Sequence, residues 1–329
     1  RYGLTKLEVA RTQGVHLHAY QNQRDGDPQD LIFAKTVMGF SDHLAEHKPD
    51  LVVVHGDRIE AIACALTCAT NYIRCAHIEG GEVSGTIDEI FRHCNSKLAH
   101  AHFVSSNIAK ARVMAMGEDE NTIHTIGSPE LDLHKQPSGV SLDQVKAYYD
   151  LPFDDFGIVV FHPVTSEAHT MGDQAAALFG ALSQSGQHFV VIHPNNDPGG
   201  RAILDVIHGL PQQQFRHLPS MRFTYFSELM RNAAVMVGNS SAGVREAPFL
   251  GLPSLDIGTR QTNRALSHSV HLASAYESDK IASFLKDRWG KRTTGDTSFG
   301  EGSAAQRFVA VLQNSDFWTQ SLQKKFVDG

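Results

Sequence analysis

The chain has 329 residues, 41% hydrophobic and 20% charged, ordinary proportions for a globular protein and length enough for two domains with separate cores. A formal net charge of −7 argues against nonspecific nucleic-acid binding, and no apolar run is long enough to cross a bilayer. Four cysteines, Cys64, Cys68, Cys75 and Cys94, show no CxxC spacing for zinc and no secretory signal is legible, so a reduced, cytoplasmic protein is expected.

The chain opens on Arg1-Tyr2-Gly3-Leu4, without Met and without an apolar strand ahead of the first helical pattern. An N-terminal strand and its loop are therefore expected to be missing from this end. From Leu51 onward, apolar runs alternate with helical stretches. Strands are expected at Leu51 to His55, Ile73 to Ile78, Ala101 to Ser105 and Thr122 to Ile126, with helices near Ile59 to Thr70, Ile87 to Leu98 and Asn107 to Met116 between them. The pattern loosens over Gln136 to Pro152, around Pro137-Ser138-Gly139 and Leu151-Pro152, which places a domain boundary there. A second set of strands follows at Gly157 to His162, Phe189 to His193, Phe215 to Leu218, Ala234 to Gly238 and Pro253 to Ile257. Amphipathic helices at Ala304 to Gln313 and Phe317 to Phe326 complete the chain. The expectation is an α/β protein of two Rossmann-like domains, residues 1–150 and 151–329, facing a cleft that suits an extended ligand such as a nucleotide sugar.

The stretch LVVVHGDRIEAIACALTCATNYIRCAHIEGGEVSG, Leu51 to Gly85, sets two carboxylate-bearing turns behind two apolar runs. Asp57 and Glu79 directly follow strands taken as buried and project into the cleft. Arg58, Asp88, Arg92 and His93 are further candidates, whereas Glu82 and Glu89 fit a solvated surface equally well. Asp88 stands where an acid is also normal in a first helical turn. Crowded carboxylates in a partly desolvated pocket separate their proton affinities, which provides an acid and a base.

In the second half, Val235 to Glu246 reads as a strand passing through Gly238-Asn239-Ser240-Ser241 into a helix, an arrangement suited to phosphate. The same residues also fit an ordinary helix cap. Loops at Phe161-His162-Pro163-Val164-Thr165, His193-Pro194-Asn195-Asn196-Asp197 and Gly258-Thr259-Arg260 add donors at the same sheet edge, and His162 and Arg260 suit a diphosphate. The pair His100-x-His102 lacks a third ligand at metal spacing and is taken as structural, so no metal and no cofactor are expected.

These residues, in order from His55-Gly56-Asp57-Arg58 through His77-Ile78-Glu79-Gly80-Gly81-Glu82-Val83-Ser84-Gly85-Thr86-Ile87-Asp88-Glu89, Arg92-His93, Ser96-Lys97-Leu98, Gly127-Ser128-Pro129, His162-Pro163-Val164-Thr165 and Gly238-Asn239-Ser240-Ser241 to Gly258-Thr259-Arg260, closely resemble the hydrolysing UDP-N-acetylglucosamine 2-epimerases of sialic-acid and related nonulosonic-acid biosynthesis. The resemblance implies a fold like that of the GT-B glycosyltransferases, with the C-terminal helix returning to the first domain. It implies release of UDP and a free, C2-inverted N-acetylhexosamine, with Asp57, Glu79 and Asp88 as catalytic carboxylates. Arg58, His162, Asn195, Ser240, Ser241, Glu246 and Arg260 match the family's UDP contacts. The family's N-terminal strand and Gly-Thr-Arg loop have no counterpart here. A UDP-sugar is the implied partner, in a homodimer or homotetramer without nucleic acid or membrane. A 2,4-diacetamido-2,4,6-trideoxy sugar donor is the close alternative, and a GT-B glycosyltransferase or a non-catalytic UDP-sugar sensor the more distant ones.

Overall fold

The computed structural model describes residues 9–24, 26–264, 267–325 and 327. The expectation for Arg1 to Leu4, and Phe326 at the end of the expected last helix, lie outside the described residues. The chain forms two compact units. One takes Gly14–Val83, Ile87–Asp132 and Phe299–Gly329, and the other takes Ser84–Thr86 and Leu133–Ser298 together with residues 9–13.

The first unit is built on four parallel strands in the order β1-β2-β3-β4: β1 Val52–His55, β2 Cys75–Ile78, β3 Ala101–Val104 and β4 Ile123–Thr125. Helices Ile59–Thr70, Asp88–Leu98 and Asn107–Ala115 make the crossovers. β2 and β3 are buried throughout or nearly so, with one histidine each, His77 and His102, among their apolar residues. β1 is different. Val54 packs with Leu44, Ala65 and Cys68 beneath the helices Gln29–His47 and Ile59–Thr70, while Val53 on the opposite face is 43% exposed and His55 is exposed too. Among the described residues the strand before Asp57 ends its sheet and is covered on one face, so its LVVVH run is only partly buried.

The other face of this sheet, at Ala76, Ala101 and Phe103, is covered by Ala304 and Phe317 from the helices Ala304–Gln313 and Ser315–Thr319. The C-terminal end thus returns to the first sheet. Its last helix is one turn long rather than running from Phe317 to Phe326. Carbonyls that would continue it are taken by side chains: Arg74 donates to the Trp318 and Gln320 oxygens at 2.9 and 3.0 Å, and His100 Nε2 to Leu322 at 3.0 Å. Farther along, Lys324 Nζ lies 2.6 Å from Glu118 and donates to the Ala99 carbonyl at 2.6 Å.

The second unit holds six parallel strands in the order β10-β9-β8-β5-β6-β7: β5 Gly157–Val160, β6 Phe189–Ile192, β7 Phe215–Leu218, β8 Met236–Gly238, β9 Ser254–Ile257 and β10 Val270–Ala273. Phe179, Phe189, Phe215 and Val237 centre the core on one face, and Phe156, Ile158, Val160 and Met236 the core on the other. The added edge strand, β10, escapes sequence analysis because only Ala273 of its four residues is buried and Leu272 is 62% exposed. Among the described residues, no helix is long and apolar enough to cross a membrane.

Phe317→Ala removes a nearly buried ring, 3% exposed, from the covered face of the first sheet. It is expected to lower that unit's unfolding free energy by about 3 to 5 kcal/mol in equilibrium denaturation. A loss below about 1 kcal/mol would show that the C-terminal helix does not cover the sheet.

Candidate active site

In both units the strands deliver their carboxyl ends to turns on one sheet edge, where chemistry-bearing side chains collect. In the first unit β1 turns at Gly56, φ +76, whose carbonyl accepts from His77 Nε2 at 2.9 Å and Asn95 Nδ2 at 3.1 Å. Burial pushes the His77 imidazole down to about 3. It is therefore neutral, and with its proton on Nε2 it places Nδ1 against Ser96 Oγ, 3.1 Å away. Asp57 follows, ion-paired with Arg92, whose side chain is 1% exposed and which also donates to the Glu82 carbonyl at 3.2 Å. Glu82 itself is 2% exposed and accepts a hydrogen bond from Ser105, so of its two expected settings it takes the buried one.

Glu79, directly after β2, is 7% exposed and sits at φ +70. A side chain in this left-handed region costs roughly 1 to 3 kcal/mol and persists only where its surroundings enforce it. Its Oε2 lies 3.6 Å from His55 Nε2 and 4.0 Å from the point a Cβ on Gly56 would occupy. Asp57 and Glu79 thus stand on neighbouring strand ends, paired in register at His55 and Ile78. Asp88 is half-buried in the first turn of its helix, four residues before the arginine that holds Asp57. Arg58 is exposed at the start of the helix Ile59–Thr70, and Glu89 lies 3.5 Å from His93. The pair His100 and His102 is structural: His100 Nδ1 accepts from the Cys75 N–H at 3.1 Å, and His102 Nε2 is 3.1 Å from Glu118.

In the second unit β5 has β6 on one side and β8 on the other, which makes the ends of β5 and β8 a topological switch point. Gly238, at φ +133, passes so close to β5 that a Cβ would lie 2.0 Å from the Val160 oxygen. The next residue, Asn239, is 1% exposed and clamps the end of β5. Its Oδ1 accepts from the His162 N–H at 2.6 Å, and its Nδ2 donates to the His162 carbonyl at 2.8 Å. Arg260 and Gln261 close the arrangement by donating to the Asn239 carbonyl at 3.2 and 2.9 Å.

Ser240 caps a helix that extends only over Ser241–Val244. The chain breaks at Arg245 and resumes as Glu246–Phe249. The single helix expected from the sequence is absent because Pro248 has no N–H to give the Val244 carbonyl and its ring collides there. One turn carries little dipole, so an anion here would meet individual N–H groups and the Ser240 and Ser241 hydroxyls.

His162, Asn195, Ser240 and Glu246 line a cleft of about 510 Å³, whose apolar wall includes Ile192, Met221, Phe223 and Phe226. Burial and the charge of Arg260 push His162 down to about 3. Its Nδ1 accepts from the Asn195 N–H at 3.1 Å, which leaves the proton of the neutral ring on Nε2. Glu246 is oriented by a residue that sequence analysis passes over: His134 Nε2 lies 2.5 Å from its carboxylate, and His134 Nδ1 lies 2.9 Å from Ser227 Oγ. His134 sits in the short helix Glu130–Lys135, away from any strand end, and nothing local marks it. In the same unit the Gly85 N–H donates to the Arg260 carbonyl at 3.0 Å.

A second missed group is Asp256 on β9, 3% exposed, beside a hollow of about 680 Å³ that Glu167, Gln174 and Thr259 also line. Burial pushes its carboxyl up to about 7, with Arg260 opposing, and its Oδ1 lacks a hydrogen-bond partner.

Two parallel α/β units with side chains gathered at strand ends place the chain in the GT-B-like fold class. The sequence profile described as UDP-N-acetylglucosamine 2-epimerase matches residues 6–313. Identity is 43% over 331 residues to a UDP-N-acetylglucosamine 2-epimerase of Neisseria meningitidis serogroup B, covering 99% of this chain and 88% of the relative. It is 31% over 291 residues, covering 88% of this chain and 77% of the relative, to a hydrolysing UDP-N,N'-diacetylbacillosamine 2-epimerase of Legionella pneumophila. The crystal structure of the Methanocaldococcus jannaschii UDP-GlcNAc 2-epimerase, in complex with UDP-GlcNAc and UDP, matches with a TM-score of 0.76 at 19% identity, over 87% of this chain and 82% of that one. The chain belongs to the UDP-N-acetylglucosamine 2-epimerase family.

Asp256→Asn provides a test of the buried acid. Its folded proton affinity is raised, so its contribution to stability is full below the unfolded carboxyl range near 4 and falls as the pH climbs toward 7. The variant should unfold at a higher temperature than the parent at pH 8, by an amount equivalent to at most about 4 kcal/mol at roughly 1.4 kcal/mol per pKa unit. The gap should shrink at pH 4.5, and a pH-independent difference would contradict the assignment.

Proposed function

We propose that the chain is a hydrolysing UDP-N-acetylglucosamine 2-epimerase, which converts UDP-N-acetylglucosamine and water into UDP and N-acetylmannosamine. The observation that carries this reading is the pair of acids at neighbouring strand ends: Glu79 held at φ +70 beside the Gly56-Asp57 turn, with Asp57 fixed by buried Arg92. An adjacent acid and base are what the chemistry demands. The C2 hydrogen of a hexosamine is a poor acid, so its removal is coupled to breakage of the C1–O bond, whose electron pair leaves with UDP. Loss of H2 and UDP gives a 2-acetamidoglucal. Water then adds at C1, and a proton returns to the opposite face of C2.

In this scheme Asp57 and Glu79 stabilise charge at C1 and remove the C2 proton, and Asp88 returns a proton to the other face. The departing UDP is held by His162, Asn195, Ser240, Ser241, Glu246 and Arg260, with Arg58 as a further cation. Four of these line the switch-point cleft, whose apolar wall suits a pyrimidine base. His162 offers its Nε2–H, the hydroxyls of Ser240 and Ser241 offer donors to phosphate, and Glu246, fixed by His134, accepts from ribose hydroxyls. The hydrolysing outcome is supported by the Gly80-Gly81-Glu82-Val83-Ser84-Gly85-Thr86 run after Glu79 and by likeness to a relative named for hydrolysis. The 43% identical relative is named for the N-acetylglucosamine donor, which favours that substrate over the diacetamido trideoxy sugar.

Turnover of UDP-N-acetylglucosamine in deuterated water is expected to give UDP and N-acetylmannosamine carrying deuterium at C2. Accumulation of UDP-N-acetylmannosamine, or product without label, would overturn the mechanism, and faster turnover of the diacetamido trideoxy donor in parallel would reassign the substrate. Asp57→Asn, Glu79→Gln and Asp88→Asn should each lower kcat by about 10² to 10⁴. UDP affinity measured by calorimetry should stay within a few-fold of the parent.

A further inference from the structure

Three histidines of the second unit form a group to which the scheme above gives no role, although one of them, His193, also lines the cleft. His193 follows β6, His217 lies on β7, and His208 is the last residue of the helix Gly200–His208. One ring nitrogen from each lies within 4.8 Å of the others. The rings of His193 and His217 stack with centroids 5.2 Å apart and share a contact between Nε2 and Nδ1 of 3.0 Å, while His208 stands edge-on to His193 at 5.6 Å. We infer that His193, His208 and His217 form a binding site for a divalent transition-metal ion of the zinc or nickel class, with solvent completing the coordination shell.

The donor set, the geometry and the access all suit such an ion. Imidazole is the ligand preferred by zinc, copper and nickel, and three imidazoles plus an open position is a common arrangement for zinc. Metal–nitrogen bonds of about 2.0 to 2.1 Å hold ligand atoms roughly 3 to 3.5 Å apart, which these rings reach with small rotations. Each ring must give up a lone pair, so each must be neutral. Burial pushes His193 down to about 4, and burial lowers His217 as well. Only one proton can occupy the short His193–His217 contact, and His193 Nδ1 has no hydrogen-bond partner. β7 is the edge strand of its sheet and His208 is exposed, which opens a route for the ion. The charge of Arg216, next to His217 in sequence, is offset by Asp150 at 3.2 Å, and the C-terminal end of the helix turns its negative pole toward the cation.

A bound ion would join the end of helix Gly200–His208, the edge strand β7 and the start of the loop whose Pro194 and Asn195 line the cleft. Occupancy would therefore fix that loop from behind.

The test uses the full chain after chelator treatment. The parent should take up one equivalent of Zn²⁺ by calorimetry, and its unfolding temperature should rise with the logarithm of free zinc. His208→Ala/His217→Ala, which spares every residue assigned to the cleft, should lose that equivalent and the temperature shift while retaining its activity without metal. Co²⁺ in place of zinc should give the visible bands of nitrogen and oxygen coordination. Equal zinc uptake by parent and double variant would overturn the proposal. So would a thiolate-to-cobalt band in the near ultraviolet, since it would place the ion on the cysteines, where burial raises Cys64 to about 12 and so disfavours the thiolate.

Discussion

The side-chain amide of Asn239 is the contact on which the second unit's site depends. Two strands that are distant in sequence must end side by side at the switch point, and their last peptide groups have no further ladder to join. Asn239 meets that need by accepting from one backbone group of His162 and donating to the other, while its own carbonyl receives Arg260 and Gln261. Gly238 is the precondition, because any Cβ there would collide with the Val160 carbonyl. With the clamp in place, His162, Ser240 and Arg260 come to one sheet edge. Losing the amide would leave two part-buried backbone groups of His162 unpaired, at a cost of at most about 1 to 3 kcal/mol each, and would release the orientation of His162 as well.

The first unit solves the same problem with charge and imidazole. Gly56 would be a loose turn if His77 and Asn95 did not both donate to its carbonyl. Arg92, sealed from water, ties Asp57 to the Glu82 backbone, so the acid at the end of β1 is held from the helix behind it. Breaking a buried pair of this kind by removing one partner is costly, because it strands the other charge. The rigidity of Asp57 therefore comes from Arg92 rather than from burial of its strand. The left-handed backbone of Glu79 adds a second enforced position one strand away.

Much of this was legible in the sequence, for identifiable reasons. The helix Ile59–Thr70 was found at its true limits because a Gly-Asp turn precedes it and Asn71 ends it. The alternation of apolar runs and helices gave nine of the ten strands, each shifted by no more than about two residues. β10 was lost because an edge strand with one buried residue carries no periodic signal. The sequence reading carries one helix through to Glu246, whereas the chain breaks at Arg245, ahead of Pro248. The buried state of Arg92 and the alliance of His134 with Glu246 depend on residues 35 and 112 positions apart, and no local pattern reports on such pairs. Local chemistry marks the acids, and tertiary packing decides what holds them.

The return of the C-terminal segment to the first sheet also bears on how the protein is made. Phe317 and Ala304 cover the face of β2 and β3, and Lys324 neutralises Glu118, whose carboxyl is held down to about 2 against burial by His102, Lys324 and Lys97. During synthesis the strands of the first sheet precede by some two hundred residues the Ala304 and Phe317 side chains that close its apolar face. The second unit, continuous from Leu133 to Ser298, is complete before that happens. The unit that carries Asp57 and Glu79 is thus closed only after the stretch from Leu133 to Ser298 has been translated.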